Sequence, residues 1–160
     1  MKLYLIRHGI AAERGTYAQD GERPLVPRGQ QKTAAVARRL QSLNIHFELI
    51  LTSPLLRARQ TADILYQAGL ASTLQEYSPL APGGSLQQWL QWLNQNRYSN
   101  LALVGHQPDL SRWATMLVWG SEAEKLILKK AGIIGLNVPS TLDLLGNCEM
   151  FLLTSPQWFL

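Results

Sequence analysis

The chain reads as an α/β protein: a three-layer α/β/α sandwich around a mostly parallel, mixed central sheet. Three observations predict this. Short apolar runs, Leu3-Tyr4-Leu5-Ile6, Phe47 to Leu51 and Leu101-Ala102-Leu103-Val104, alternate with longer segments of helical apolar spacing, the pattern of βα units. Each run leads into a basic residue near its end: Arg7, Arg57 and His106. Two late apolar runs follow one another with no helix between them, which predicts a local hairpin and hence an antiparallel component in the sheet. At 160 residues, 46% hydrophobic and 16% charged, the chain is expected to be a single domain, 1–160, that buries about 68–70% of its unfolded surface.

The elements follow in order. Residues 2–7 form a buried strand, because the run is apolar and rich in strand formers. Residues 10–27 are polar with scattered Gly and Pro and form a long loop; loops of that length in a compact domain usually serve function. Residues 29–43 are helical, with Ala34, Val36, Ala37, Leu40 and Leu43 on one face. Residues 47–52 form a strand. Ser53 before Pro54 reads as an N-cap followed by a proline at the first helical position, opening a helix over 54–69 that Gly69 ends. Residues 73–77 form a short strand, and 85–95 a helix with Leu86, Trp89, Leu90 and Leu93 at helical spacing. A strand at 101–105, a helix at 108–119, and strands near 132–138 and 148–153 complete the chain. Gly146-Asn147 turns it between the last two. The five tryptophans, Trp89, Trp92, Trp113, Trp119 and Trp158, are expected in core and edge packing.

The strand ends carry the chemistry. Open α/β sheets bind ligands at the carboxyl ends of their strands. Arg7-His8-Gly9 places a guanidinium and an imidazole there, and the glycine permits a tight turn or the close approach of a ligand. The imidazole can attack phosphorus while the guanidinium holds non-bridging oxygens in a fork. Arg57 falls in the first turn of its helix, where a cation opposes the helix dipole but stands beside free N–H groups suited to an anion. Arg59 reads as a surface residue. Gly105-His106-Gln107-Pro108 repeats the arrangement of strand, basic residue and helix, so three junctions can converge on one anion.

The segments RHG, SPLLRARQTA and GHQP, in this order and spacing, resemble the histidine phosphatase superfamily, and within it the short SixA-type phosphohistidine phosphatases. Arg23-Pro24-Leu25 followed by Gly29, Pro82-Gly83-Gly84 and the late apolar strand from Gly132 to Val138 extend the likeness over nearly the whole chain. The resemblance implies a phosphoglycerate mutase-like fold and a phosphatase in which His8 is the nucleophile, forming a phospho-His8 intermediate that water hydrolyses. Arg7, Arg57 and His106 would surround the phosphoryl oxygens, and Gly9, Gly105 and Arg23 would contribute to phosphate binding. Arg23 is equally readable as a solvated loop residue. The larger relatives carry a glutamate after the third strand; here that loop is Ser78-Pro79-Leu80-Ala81-Pro82-Gly83-Gly84, without a carboxylate. Glu76 and Asp109 are the candidate acids. A site lacking a dedicated acid suits a phosphoramidate, whose leaving nitrogen is readily protonated, better than an ester. The short chain leaves little sequence to cover the site, so a phosphorylated protein, such as a phosphorelay domain, is the expected substrate and partner.

Composition narrows the alternatives. The net charge is +4 and the pI near 9.5, yet no Lys/Arg run or interleaving of aromatic and basic residues points to nucleic acid. Part of the excess is assigned to the anion site, and Lys32, Arg38, Arg39, Lys129 and Lys130 to a solvated surface. The single Cys148 is expected as a buried structural thiol in a reducing compartment. No apolar stretch approaches the ~20 residues of a membrane span, and the first strand is too short for a signal peptide; a cytoplasmic location follows as the expectation. Neither a metal cluster nor a nucleotide-binding glycine loop is recognisable, so no cofactor is expected; His46 reads as structural or surface. Two other functions stay open: a phosphatase for a small phosphate ester or another phosphoprotein, and a phosphoprotein-binding module without turnover.

Overall fold

A computed structural model describes residues 1–159. Six strands, β1 (Lys2–Arg7), β2 (Phe47–Thr52), β3 (Ala71–Glu76), β4 (Asn100–Gly105), β5 (Ile133–Asn137) and β6 (Glu149–Thr154), form one sheet in the order β3-β2-β4-β1-β5-β6. The first four in that order are parallel; β5 runs antiparallel to β1, and β6 antiparallel to β5. The mixed sheet and its late hairpin are therefore as expected. Four helices cover it: α1 (Pro27–Ser42), α2 (Leu56–Gln67), α3 (Leu86–Gln95) and α4 (Asp109–Trp119).

The layers follow from strand alternation. Leu3 and Leu5, with Leu101 and Leu103, face a core built with Trp89 of α3 and Leu110, Trp113 and Leu117 of α4. Tyr4 and Ile6, with Ala102 and Val104, face the opposite core, made with Val36 and Leu40 of α1 and Ala58, Ala62 and Leu65 of α2. Strands covered on both faces must be apolar at successive positions, which is why these runs were continuous rather than alternating. Helices on the two faces of one sheet make the three-layer sandwich.

Several boundaries differ from expectation for local reasons. Helix α1 begins two residues early because Pro27, with its fixed φ and missing N–H, is itself a good first residue. Helix α2 begins at Leu56, not at Pro54, since Leu55 rather than Ser53 is its N-cap. The Ser53 backbone N–H still donates to Val104 across the sheet, and its hydroxyl is engaged elsewhere. Helix α3 does have a hydroxyl cap, Ser85, which accepts from Gln88 N–H. Gly69, at φ +76°, stops the chain after α2. Trp89 and Trp113 are buried and stacked, whereas Trp119 and Trp158 are 58% and 83% exposed and pack no core. Cys148 is buried just before β6, and burial pushes its thiol up to about 11. No helix among the described residues is long and apolar enough to cross a membrane.

Candidate active site

Strands β1 and β4 are neighbours, so the residues that follow them meet. The His8 N–H donates to Gly105 C=O at 3.1 Å, and the His8 and His106 rings lie 5.1 Å apart. They line a cleft of about 540 Å³ with Arg7, Arg14, Arg23, Arg57 and Lys130. Five cations therefore face two carboxylates, Asp20 and Glu13.

His8 is held in one tautomer. Its Nδ1 lies 2.7 Å from the Gly9 carbonyl; a carbonyl only accepts, so Nδ1 carries the proton and Nε2 keeps its lone pair. Burial, with the nearby His106, Arg57 and Arg7, pushes the His8 pKa down to about 3 against the opposing pull of the Gly9 carbonyl. A neutral imidazole with a free nitrogen is the reactive form for nucleophilic attack.

His106 is oriented by a residue whose role local sequence signals do not reveal. Its Nε2 is 2.7 Å from the Ser53 hydroxyl, which itself accepts from Leu55 N–H at 3.2 Å. A hydroxyl keeps a second lone pair, so Ser53 can meet Nε2 as donor or as acceptor; where its O–H donates, the His106 proton sits on Nδ1. That Nδ1 is buried with no acceptor in the protein, as are the Nε atoms of Arg7 and Arg57. Burial first, and repulsion from Arg57 and Arg7, take the His106 pKa down to about 4, with Asp20 opposing. An unsatisfied buried polar group costs about 1–3 kcal/mol, and these three atoms belong to residues of one cleft.

Asp20 links the arginines, a role that local sequence signals do not reveal either. Arg57 donates to its backbone carbonyl at 2.9 Å and to Oδ2 at 3.0 Å. Arg23 donates through Nε to Oδ1 at 2.8 Å and reaches the Ala12 carbonyl at 2.6 Å. The Arg23 hydrogen bond, aided by the charge of Arg57, holds the Asp20 carboxyl below its ordinary value. Arg23 is thus a buried, fixed residue rather than a solvated one. The long loop carrying both folds over the cleft and is fastened by an Ala11–Leu25 bridge. Arg7 donates to the Leu128 carbonyl at 2.8 Å, so the segment before β5 supports it. Lys130, from that segment, lines the cleft instead of belonging to the open surface.

Other expectations are placed differently. Gly9 and Gly105 do not line the cleft. A Cβ on Gly9 would come within 2.6 Å of Thr33 Oγ1, so the glycine is required by packing on α1, and its N–H donates to Thr61. A Cβ on Gly105 would press on Leu110 at 3.3 Å. Glu76 pairs with Arg59 at 3.1 Å on the surface. Asp109 accepts from Gly83 N–H at 2.9 Å and lines a neighbouring cavity. Neither candidate acid faces His8, because each side chain is drawn to a partner outside the cleft.

A family model described as the histidine phosphatase superfamily (branch 1) matches residues 3–77. The phosphohistidine phosphatase SixA of Escherichia coli K12 is 31% identical over 112 residues, 68% of each chain. The chain belongs to the histidine phosphatase superfamily. Within it the chain is of the SixA type. An uncharacterised protein of Picosynechococcus is 52% identical over 164 residues, covering 100% of this chain and 99% of its own. The structure of the protein histidine phosphatase SixA complexed with tungstate shares the fold, with a TM-score of 0.85, 24% identity and 98% of each chain covered. So does phosphoserine phosphatase from Entamoeba histolytica in complex with 3-phosphoglyceric acid, with a TM-score of 0.70, 20% identity and 99% coverage of each chain. Superfamily and neighbours together indicate a phosphatase on the expected phosphoglycerate mutase-like fold.

Proposed function

We propose that this histidine phosphatase superfamily member hydrolyses phosphohistidine on a protein, with His8 as nucleophile. In the first step His8 Nε2 bonds to phosphorus and the P–N bond to the substrate imidazole breaks, the leaving nitrogen taking a proton from water. In the second, water attacks the phospho-His8 phosphorus, and phosphate and neutral His8 are released. Arg7, Arg57 and His106 Nδ1 stabilise the charge on the phosphoryl oxygens through both steps, with Arg23 holding Asp20 and Arg57 in place. No step calls on a metal ion.

The observation that carries the reading is the state of the two carboxylates in the cleft. Asp20 is held ionised between Arg23 and Arg57, so it is not a proton donor, and Glu13 is exposed at the rim. A phosphoramidate nitrogen leaves without a dedicated acid, whereas an alkoxide needs one. The relatives support this reading through the SixA of Escherichia coli, named a phosphohistidine phosphatase. The phosphoserine phosphatase neighbour favours a second reading, a small phosphate ester as substrate.

Hydrolysis of a phosphohistidine-carrying phosphorelay domain, measured beside phosphoserine, sugar phosphates and phosphotyrosine with EDTA present, separates the two. The expected result is turnover of the domain above every ester, abolished in His8→Ala. Faster turnover of an ester would replace the first reading with the second. Phosphate binding with no turnover of any substrate would make the protein a binding module, and loss of activity in EDTA would remove the metal-free scheme.

A further inference from the structure

A second basic concavity adjoins the cleft. A groove of about 400 Å³ is lined by Lys32 of α1, Lys129, Lys130, Arg7 and the segment 155–157. Arg7 and Lys130 line both groove and cleft, so the two adjoin across these side chains. Among the described residues, no carboxylate lines the groove. Among the described residues, every ion pair uses an arginine, and Lys32, Lys129 and Lys130 have none. Burial and the repulsion of Arg7, Arg23, Arg14 and Arg57 lower the Lys130 pKa. These ammoniums line one groove, and among the described residues no carboxylate pairs with them.

We propose that this groove is a subsite for carboxylate side chains on the polypeptide that presents the phosphoryl group. The proposal rests on the phosphoprotein reading above and names what selects the substrate there. Charge complementarity requires an anionic occupant. The chemistry of the cations separates a carboxylate-bearing chain from a second phosphate. The cleft offers buried guanidinium forks and fixed donors, the form that grips a phosphoryl group. The groove offers half-buried or exposed lysines on flexible stems, point charges that tolerate carboxylates at varied positions. Because the groove adjoins the cleft at Arg7 and Lys130, carboxylates held there would lie within a few residues of the phosphorylated side chain. Lys130 serves both sites, while Lys32 and Lys129 line the groove without lining the cleft.

The test uses two synthetic phosphohistidine peptides that differ only in flanking residues, glutamates in one and glutamines in the other. The kcat/KM of wild type and of the double variant Lys32→Glu, Lys129→Glu is measured at low and high salt. Wild type is expected to favour the acidic peptide about fivefold at low salt, the scale of a few exposed charge pairs. The preference should vanish near 1 M salt, where the screening length falls to about 3 Å. The double variant should lose or reverse the preference while turning over the glutamine peptide at the wild-type rate, which also shows that it folds. Equal use of both peptides by wild type, or a preference that survives the double substitution, overturns the subsite and leaves the phosphohistidine reading standing. Failure of wild type to hydrolyse either peptide overturns both.

Discussion

Ser53 shows how much one buried hydroxyl can decide. It lies at the end of β2, accepts from Leu55 N–H, and faces Nε2 of His106. The direction of that hydrogen bond therefore sets which nitrogen of His106 carries the ring proton. In Ser53→Ala, Nε2 loses its partner and the ring is free to carry its proton on either nitrogen. The expected effect is a fall in kcat of about tenfold, part of the roughly 10²-fold that a positioned oxyanion donor contributes, with KM little changed. Nitrogen-15 NMR of the His106 ring supplies the specific readout: one tautomer in wild type, a mixture in the variant. A single tautomer with unchanged kcat would show that Ser53 does not orient the ring. Asp20 acts similarly on the guanidiniums, holding Arg57 and Arg23 where their charges converge.

The seating of α1 against the loop after β1 is what fixes the backbone around His8. Gly29, near the start of α1, would carry a Cβ only 2.0 Å from the Ile10 carbonyl oxygen. That contact is with backbone, so a side chain at residue 29 must push the helix from residues 9–10. Gly9 meets Thr33 of the same helix at similarly short range, and the Gly9 carbonyl is the partner of His8 Nδ1. Gly29→Ala is expected to cost about 1–3 kcal/mol, as overpacking does, and to lower Tm by roughly 2–12 °C in a chain of this size. Turnover measured well below Tm should fall as well, because the His8 tautomer depends on the displaced segment. A Tm within a degree of wild type would mean that the helix yields freely.

Acid stability belongs to the molecule as a whole, because it sums over buried groups. His8 and His106 are buried, with folded pKa values of about 3 and about 4 against an ordinary 6.5. Below pH 6.5 the unfolded chain takes up these protons and the folded chain does not, so stability falls as pH falls from 6.5 toward 4. Each histidine contributes about 1.4 kcal/mol per pH unit over that window. Asp20, whose pKa is lowered from 3.8, adds a loss of the same sign only at lower pH. Thermal melts between pH 6 and pH 4.5 should show Tm dropping by roughly 5 °C or more per pH unit, and His8→Ala should remove about half of that slope. A flat profile, or an unchanged slope in the variant, would contradict neutral burial of the pair.

The layers, the six strands with their late hairpin, and the meeting of Arg7, His8, Arg57 and His106 were legible because they rest on local pattern; the order of the strands in the sheet was not. Strand apolarity reports double-sided burial, and a basic residue after a strand reports its position at the strand's end, since both depend on neighbours in sequence. Asp20, Ser53 and Lys130 were not legible. Asp20 reaches Arg57 from 37 residues away and Ser53 reaches His106 from 53, and no periodicity encodes such pairs. Ser53 even carried a misleading signal, since Ser-Pro before an apolar stretch has the pattern of a helix cap. The same separation explains Glu76 and Asp109: their chain positions are near the site, but Arg59 and Gly83 hold their oxygens outside it. Residue type and local spacing are sufficient to choose the elements and to place His8 at its strand end. Which nitrogen holds a proton, which carboxylate holds an arginine and which lysine enters the cleft depend on contacts that arise only when the loop 10–27, the end of β2 and the segment before β5 are folded onto one another.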